Sequence, residues 1–303
     1  MPNRLLLLAS ESRKLEELSS TNRFTRPIVD RYVAGESLES ALTATERLNR
    51  AGIDVSLDLL GESVTDLADS QAATDEYLQG IRALGERSPS STVSVKLTQL
   101  GIYLSAEECE SNLRKLLEAA RENGVEVEVD MEHSSAGRDI FRIFRSIHAE
   151  YPETRLAIQA NMRSTVQDLV NFEGAPLKIR LVKGAFDETL ELALRSGREV
   201  DAQYAYLTDW ALENLPDPAF GTHDDVCINY VKEKAAELGL GKRDFEFQML
   251  YGVRANLQEE LVRAGYRVRV YLPYGTHWYP YLTRRMAERP ANLFLFLRSL
   301  VSK

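Results

Sequence analysis

Arg284 and Arg285 stand side by side in a stretch whose apolar spacing predicts a helix, with Glu288 four and three residues further on. An arginine fork grips a carboxylate through two parallel hydrogen bonds, so adjacent forks suit a small acidic molecule. Neighbouring helical residues point about 100° apart, and both forks meet one ligand only if it lies in a crook beneath the helix. A solvated helix surface is the competing reading. Glu288 is within helical pairing range of either arginine. Arg180-Leu-Val-Lys183-Gly184-Ala185 supplies two cations and free backbone amides, with a glycine where a ligand needs close approach. The same residues also suit a buried ion-pair network, and Lys183 or Lys96 a Schiff-base lysine. Lys96, Asp58, Glu62 and Asp130 read as one charge cluster, for a metal or for proton handling. Metal is disfavoured, because His133, His148, His223 and His277 lack ligand spacing, and His148 is expected on a helix surface. Leu250, Tyr271, Tyr274 and Tyr281 add an apolar, aromatic lining that core packing alone would also explain. With the arginines they describe a pocket for a molecule with one anionic end and one small ring.

These residues need a frame that gathers them. Short β-branched runs recur about every thirty residues, each followed by an amphipathic helical stretch. The predicted strands are 54–59, 92–97, 125–130, 155–159, 177–182, 219–222, 245–250 and 267–271. Predicted helices include 63–86, 106–122, 136–149, 224–238, 258–264 and 278–288. Eight such units close into a parallel (β/α)8 TIM-type barrel, in which functional groups project from the carboxyl ends of the strands. A doubly wound sheet usually opens with a glycine-rich first turn, and none is present. Barrel strands are expected to be near-continuous apolar runs, with the charge gathered at one end. Residues 14–35 and 38–51 read as extra helices on the bottom or side of the barrel. The organisation expected is a helical segment, 1–51, packed on a catalytic barrel, 52–303. Gly239-Leu-Gly-Lys242 is too short for a P-loop and reads as a helix C-cap turn.

Composition narrows the function further. The 303 residues include 44% hydrophobic and 27% charged side chains and carry a net charge of -9. Such acidity gives no attraction to phosphodiester backbones, so no nucleic-acid partner is expected. Cys109 and Cys227 are too few for a disulfide framework and fit a reducing, cytoplasmic setting. The apolar run at Leu5–Ala9 is too short for a signal peptide, and no stretch approaches the ~20 apolar residues of a membrane span. Membrane contact is then at most peripheral. The apolar tail Asn292–Val301 is expected to dock as a final helix, with membrane contact as the alternative.

Asp58-Leu-Leu-Gly-Glu62, Val95-Lys96-Leu97, Arg180 to Ala185, Phe247-Gln-Met-Leu250, Tyr271-Leu-Pro-Tyr-Gly275 and Tyr281 through Arg284-Arg285 to Glu288 occur in order, each at its strand end. Together they make the chain resemble the proline dehydrogenase family in its short monofunctional bacterial form, from about Arg31 to Ser299. The resemblance implies a distorted barrel that binds FAD, oxidises L-proline to 1-pyrroline-5-carboxylate with hydride passing to flavin N5, and hands electrons to a membrane quinone. By the same resemblance Arg284 and Arg285 grip the substrate carboxylate, with Glu288 beside them, and Leu250, Tyr271 and Tyr281 pack on its ring. Lys96 lies beside substrate and flavin. Asp130, Gln159, Arg180, Lys183, Gly184, Ala185, Thr222 and His223 fall at flavin positions, and Lys96, Asp130 and Arg180 form the catalytic set. No metal is implied. Phe186 stands where the family commonly has tyrosine. The chain is expected to lack the aldehyde dehydrogenase and DNA-binding parts of the bifunctional members. A flavin barrel of the methylenetetrahydrofolate reductase type, a Schiff-base aldolase and a non-catalytic binding barrel are the alternatives.

Overall fold

The computed structural model describes residues 26–61, 63–88, 90–170, 172 and 176–287, with the side chains of 28 and 284–287 outside the description. Eight parallel strands form a closed barrel in the order β1 to β8. They are Asp54–Leu59, Thr92–Val95, Glu126–Val129, Arg155–Gln159, Lys178–Val182, Ala219–Gly221, Glu246–Leu250 and Arg267–Tyr274. Two helices precede them, α1 (Arg26–Tyr32) and α2 (Leu38–Arg50). One helix follows each strand: α3 (Leu67–Arg87), α4 (Ala106–Asn123), α5 (Ser134–His148), α6 (Thr165–Val170), α7 (Gly197–Asn214), α8 (Asp225–Glu237), α9 (Ala255–Arg263) and α10 (Trp278–Ala287). The fold is therefore the (β/α)8 barrel expected, with element ends shifted by a few residues. Helices α6 and α7 fall in a stretch where no helix was singled out.

Local sequence explains the helix starts. Ser105, Asp66 and Asp224 each accept a backbone N–H of the first turn of α4, α3 and α8. Ile140, Ile143, Phe144 and Ile147 recur at helical spacing and bury one stripe of α5 against the strands. Gly239, at φ 72, ends α8 as the predicted cap turn, with the Leu240 N–H returning to the Ala235 carbonyl.

The strands correct the expected pattern. Polar and apolar residues alternate along their whole length: Asp54, Ser56 and Asp58 in β1, Thr92 and Ser94 in β2, Glu126 and Glu128 in β3, Arg267, Arg269 and Tyr271 in β8. Alternation by two sends one set to each face. The apolar set, such as Val55, Leu57, Val93, Val95, Val127 and Val129, packs outward in one continuous core. The polar set fills the lumen with ion pairs, and charge is not confined to one end.

The barrel departs from ideal form at its eighth helix. On the outside of β1 and β8, where that helix would sit, lies α2. Helix α10 instead packs with α1, and their Val29, Tyr32, Trp278, Tyr279, Tyr281 and Leu282 form a separate apolar cluster with Leu60. Helix α1 is thus at the carboxyl end of the strands, contrary to the bottom or side placement expected. The cause is local: the Ala34 N–H donates to the Pro273 carbonyl at 2.8 Å, and the Gly275 N–H to the Gly35 carbonyl at 3.1 Å. Gly252, at φ 71, passes so close beneath α1 that a Cβ there would meet the Arg31 carbonyl oxygen at 1.7 Å. Residues 14–25 of the predicted first helix and the tail 292–301 lie outside the described residues. His148 is also corrected: it is buried, its ring stacked on Phe144 at 5.4 Å, and burial lowers its pKa. It ends the buried stripe of α5 that runs through Ile140, Ile143, Phe144 and Ile147. Both cysteines are free and buried.

Candidate active site

Lys96 follows β2 directly, Asp58 is the penultimate residue of β1, Asp130 follows β3 and Tyr271 stands in the middle of β8. Their side chains meet over the carboxyl mouth of the lumen. The Lys96 ammonium pairs with Asp58, lies 3.3 Å from Asp130 and donates to the Tyr271 hydroxyl at 3.0 Å. That hydroxyl donates in turn to Asp130 at 2.6 Å. Arg180 rises from the middle of β5 to pair with Asp130, and its cation lies 5.4 Å from the centre of the Tyr271 ring.

Burial acts on every charge here, and the partners decide the outcome. Burial alone would raise the Asp130 carboxyl, but Arg180 and Lys96 outweigh it and hold it below the usual carboxylate range. Burial would discharge Lys96 and Arg180, yet Asp58 and Asp130 around the first, and Asp130 and Glu128 around the second, push both above their ordinary values. Asp58 goes the other way: burial raises its carboxyl despite Lys96. Its Oδ2 is buried with no hydrogen-bond partner among the described residues.

A second group lines the ends of β4 to β7. Gln159 is buried and donates through Nε2 to the Glu132 carbonyl at 3.1 Å. Its Oε1, like the Oδ1 of Asn161, is buried without a hydrogen-bond partner among the described residues. Gly184, at φ 105, lies so near Asn161 that a Cβ would meet Oδ1 at 1.9 Å. Ala185 is exposed beside it. Lys183 binds Asp201 at 2.6 Å and Asp224 at 2.7 Å, and these carboxylates raise its pKa against a partial burial that would lower it. Asp201, Asp224 and Cys227 have metal-like spacing, but the Lys183 ammonium already sits on both carboxylates. The Thr222 N–H donates to the Gln248 carbonyl. His223 accepts from the Leu250 N–H at Nε2, 2.8 Å away, while Gln258 donates to the Leu250 carbonyl at 3.1 Å. Leu250 is thereby fixed, half-buried, at the rim.

The structure brings Lys96, Asp58, Asp130, Arg180 and Tyr271 into direct contact. Gln159, Lys183, Gly184, Ala185, Thr222, His223 and Leu250 stand at neighbouring strand ends around the same mouth. Tyr281 is buried in the α1–α10 cluster. Helix α10 carries Arg284 and Arg285 on its backbone; their side chains, and Glu62 and Glu288 altogether, lie outside the described residues. Phe186 is exposed and meets the His133 ring edge-on at 6.3 Å. Three further residues take part without a role expected from the sequence: Glu128 and Gln248 beneath Arg180, and Glu132, which binds the Thr98 N–H at 3.0 Å. The alternation of polar residues along β3 and β7 is the signal that reveals the first two.

The family model described as proline dehydrogenase matches residues 41–294. Proline dehydrogenase 1 of Bacillus subtilis (strain 168) is 35% identical over 303 residues, covering all of both chains. Proline dehydrogenase of Deinococcus radiodurans is 33% identical over 301 residues, 98% of this chain and 96% of that protein. Among solved structures, proline utilization A from Bdellovibrio bacteriovorus, inactivated by N-propargylglycine, superposes with a TM-score of 0.81 at 26% identity. The match covers 88% of this chain and 33% of that one, so the chain spans about a third of that longer protein.

Proposed function

Because the chain belongs to the proline dehydrogenase family, we propose that its barrel mouth binds FAD and oxidises L-proline to 1-pyrroline-5-carboxylate. The electrons then pass to a quinone. The observation that carries this reading is the cluster of Lys96, Asp130, Arg180 and Tyr271 at the mouth, with Leu250 fixed on the same rim.

The described residues fit a flavin. An isoalloxazine offers an imide N–H and carbonyl oxygens, and its phosphates are anionic. The Gln159 Oε1, without a hydrogen-bond partner among the described residues, is an acceptor for such an N–H, Arg180 is a fixed donor, and Gly184 lets the Asn161 side chain close up against the turn beside them. Lys183, Ala185, Thr222 and His223 complete the set that would hold the cofactor. When bound, FAD supplies the two-electron acceptor for the carbon beside the substrate nitrogen.

The remaining work falls to the protein. Arg284 and Arg285, carried over the mouth on α10, grip the substrate carboxylate with bidentate forks, and Glu288 steadies one of them. Leu250, Tyr271 and Tyr281 pack on the apolar ring. The Lys96 cation, held charged by Asp58 and Asp130, disfavours a second cation beside it and so promotes loss of the amine proton. Asp130 keeps Arg180 and the Tyr271 hydroxyl in one geometry, so that donors are in place before the substrate arrives. Packing of α10 against α1 and Leu60 helps exclude water. No described helix is long and apolar enough to cross a membrane.

A Schiff-base lysine needs a depressed pKa, whereas the pKa values of Lys96 and Lys183 are both raised by carboxylates. That reading is set aside. The test of the proposal is anaerobic titration of the FAD-loaded protein. Proline is expected to bleach the flavin absorbance and NADH to leave it unchanged; bleaching by NADH alone would favour a reductase of the methylenetetrahydrofolate type.

A further inference from the structure

Glu128 sits two residues before Asp130 on β3 and faces the same lumen, with 1% of its surface exposed. Its Oε2 accepts from Arg180 at 2.7 Å, and its Oε1 from Gln248 at 3.1 Å. Arg155 and Arg269 approach the same carboxylate at 3.5 and 3.9 Å from the base side. Arg180 itself is 6% exposed, and its NH1 also reaches Ser94 and Gln248, both at 3.3 Å. The guanidinium is therefore clamped between two carboxylates, Asp130 at the mouth and Glu128 beneath it.

We infer that Glu128 is a positioning residue for the redox reaction, holding the Arg180 guanidinium from below and offsetting its charge so that a fixed, partly compensated cation faces the cofactor. This rests on the proposed placement of the flavin beside Arg180. Glu128 lies beneath Arg180 and acts through it, directly and by way of Gln248, which binds both. A carboxylate bound to the far side of a guanidinium weakens the field that the guanidinium presents on the near side. It also removes the freedom of a long side chain to turn away. The first effect sets how strongly the site favours reduced, anionic flavin; the second sets how often Arg180 is in place when C–H cleavage occurs.

Glu128→Gln keeps the length and one acceptor oxygen and removes the charge. In the FAD-loaded protein the flavin midpoint potential is expected to become more positive. The kcat for proline is expected to fall with KM little changed, the pattern of an interaction used only in the transition state. Glu246→Gln is the control, because Glu246 shares the Gln248 amide with Glu128 but spends its charge on Arg267 and Arg269 at the base. It is expected to lower the melting temperature and leave the potential where it was. Equal potentials in Glu128→Gln and the unaltered protein, or equal shifts in the two glutamine variants, would overturn the inference. Arg180→Lys separates its failure from that of the underlying reading: if this variant changes neither potential nor rate, the flavin does not face Arg180 at all. If it changes both while Glu128→Gln changes neither, the role of Glu128 alone is lost. Should Glu128→Gln not fold, Glu128→Asp keeps the charge and withdraws it by one carbon. It is expected to lower kcat with KM within about twofold, and an unchanged kcat would overturn the inference.

Discussion

At the base of the barrel Glu246 has no exposed surface and binds Arg269 at 2.9 Å and Arg267 at 3.3 Å, while Asp217 binds Arg267 at 2.6 Å and Arg155 at 2.7 Å. At the mouth Lys96 leaves 21% of its side chain open, and its partner Asp58 keeps one oxygen without a hydrogen bond among the described residues. Both ends bury carboxylates against cations. The base surrounds its carboxylates with guanidinium forks, and Arg269 donates to the Val55 and Ser90 carbonyls as well; the Arg155 Nε and Thr92 Oγ1 lack a hydrogen bond there among the described residues, but the first still lies 3.5 Å from the Glu128 carboxylate. The mouth leaves polar atoms on offer, at Asp58, Gln159 and Asn161, and sets an aromatic ring and Leu250 beside them. A closed ion-pair network specifies and supports the lumen; an open one is a site for a ligand.

That contrast is breakable. The largest effect is expected from Glu246→Ala, which leaves the buried Arg269 and the half-buried Arg267 short of a partner and should cost about 3–5 kcal/mol of stability in urea unfolding. The same carboxyl is held down to about 2 from an ordinary 4.5, because Arg269 and Arg155 outweigh its burial. A depressed folded-state pKa contributes stability that is complete above about pH 4.5 and is lost as pH falls through about 2. Acid unfolding over that window should therefore flatten in Glu246→Gln. At the mouth, Lys96→Met should slow proline-dependent flavin reduction by about 10²–10³ and cost less urea stability than Glu246→Ala, because Asp58, its carboxyl already raised by burial, can take up a proton when the cation is lost. Arg284→Met or Arg285→Met should each raise KM for proline by about 10- to 100-fold, the worth of a hydrogen bond to a charged group, with FAD still bound. Unchanged proline affinity in both would remove them from the carboxylate site. Phe186→Tyr is the smallest change. Its added hydroxyl is worth about 1 kcal/mol, seen in KM more than in turnover; a large fall in turnover would remove that role.

The alternation of strand and helix was legible in the sequence because β-branched runs and helical stripes have distinct periods, and β1 and β4 fall on their predicted residues. The mouth residues were legible because charge beside a strand end is unusual. The position of α1 was not, since it depends on backbone bonds from Ala34 and Gly275 that no side-chain pattern announces. The filled lumen was overlooked for another reason: the period-two rhythm of Glu126-Val-Glu-Val-Asp130 is plain, but a barrel strand buried on both faces is expected to be apolar on both. His148 was misplaced because a terminal residue on an apolar stripe looks polar in one dimension and is buried in three.

The sharpest measurement is the rate of flavin reduction by proline in a single anaerobic turnover, taken for Asp130→Asn beside Glu246→Gln. The first loses the charge that holds Arg180 and Lys96 at the mouth, and its rate should fall by about 10- to 100-fold with a modest change in melting temperature. The second should melt earlier and reduce its flavin at the unaltered rate. If Asp130→Asn reduces normally, or if both variants slow together, the division of labour between mouth and base is wrong.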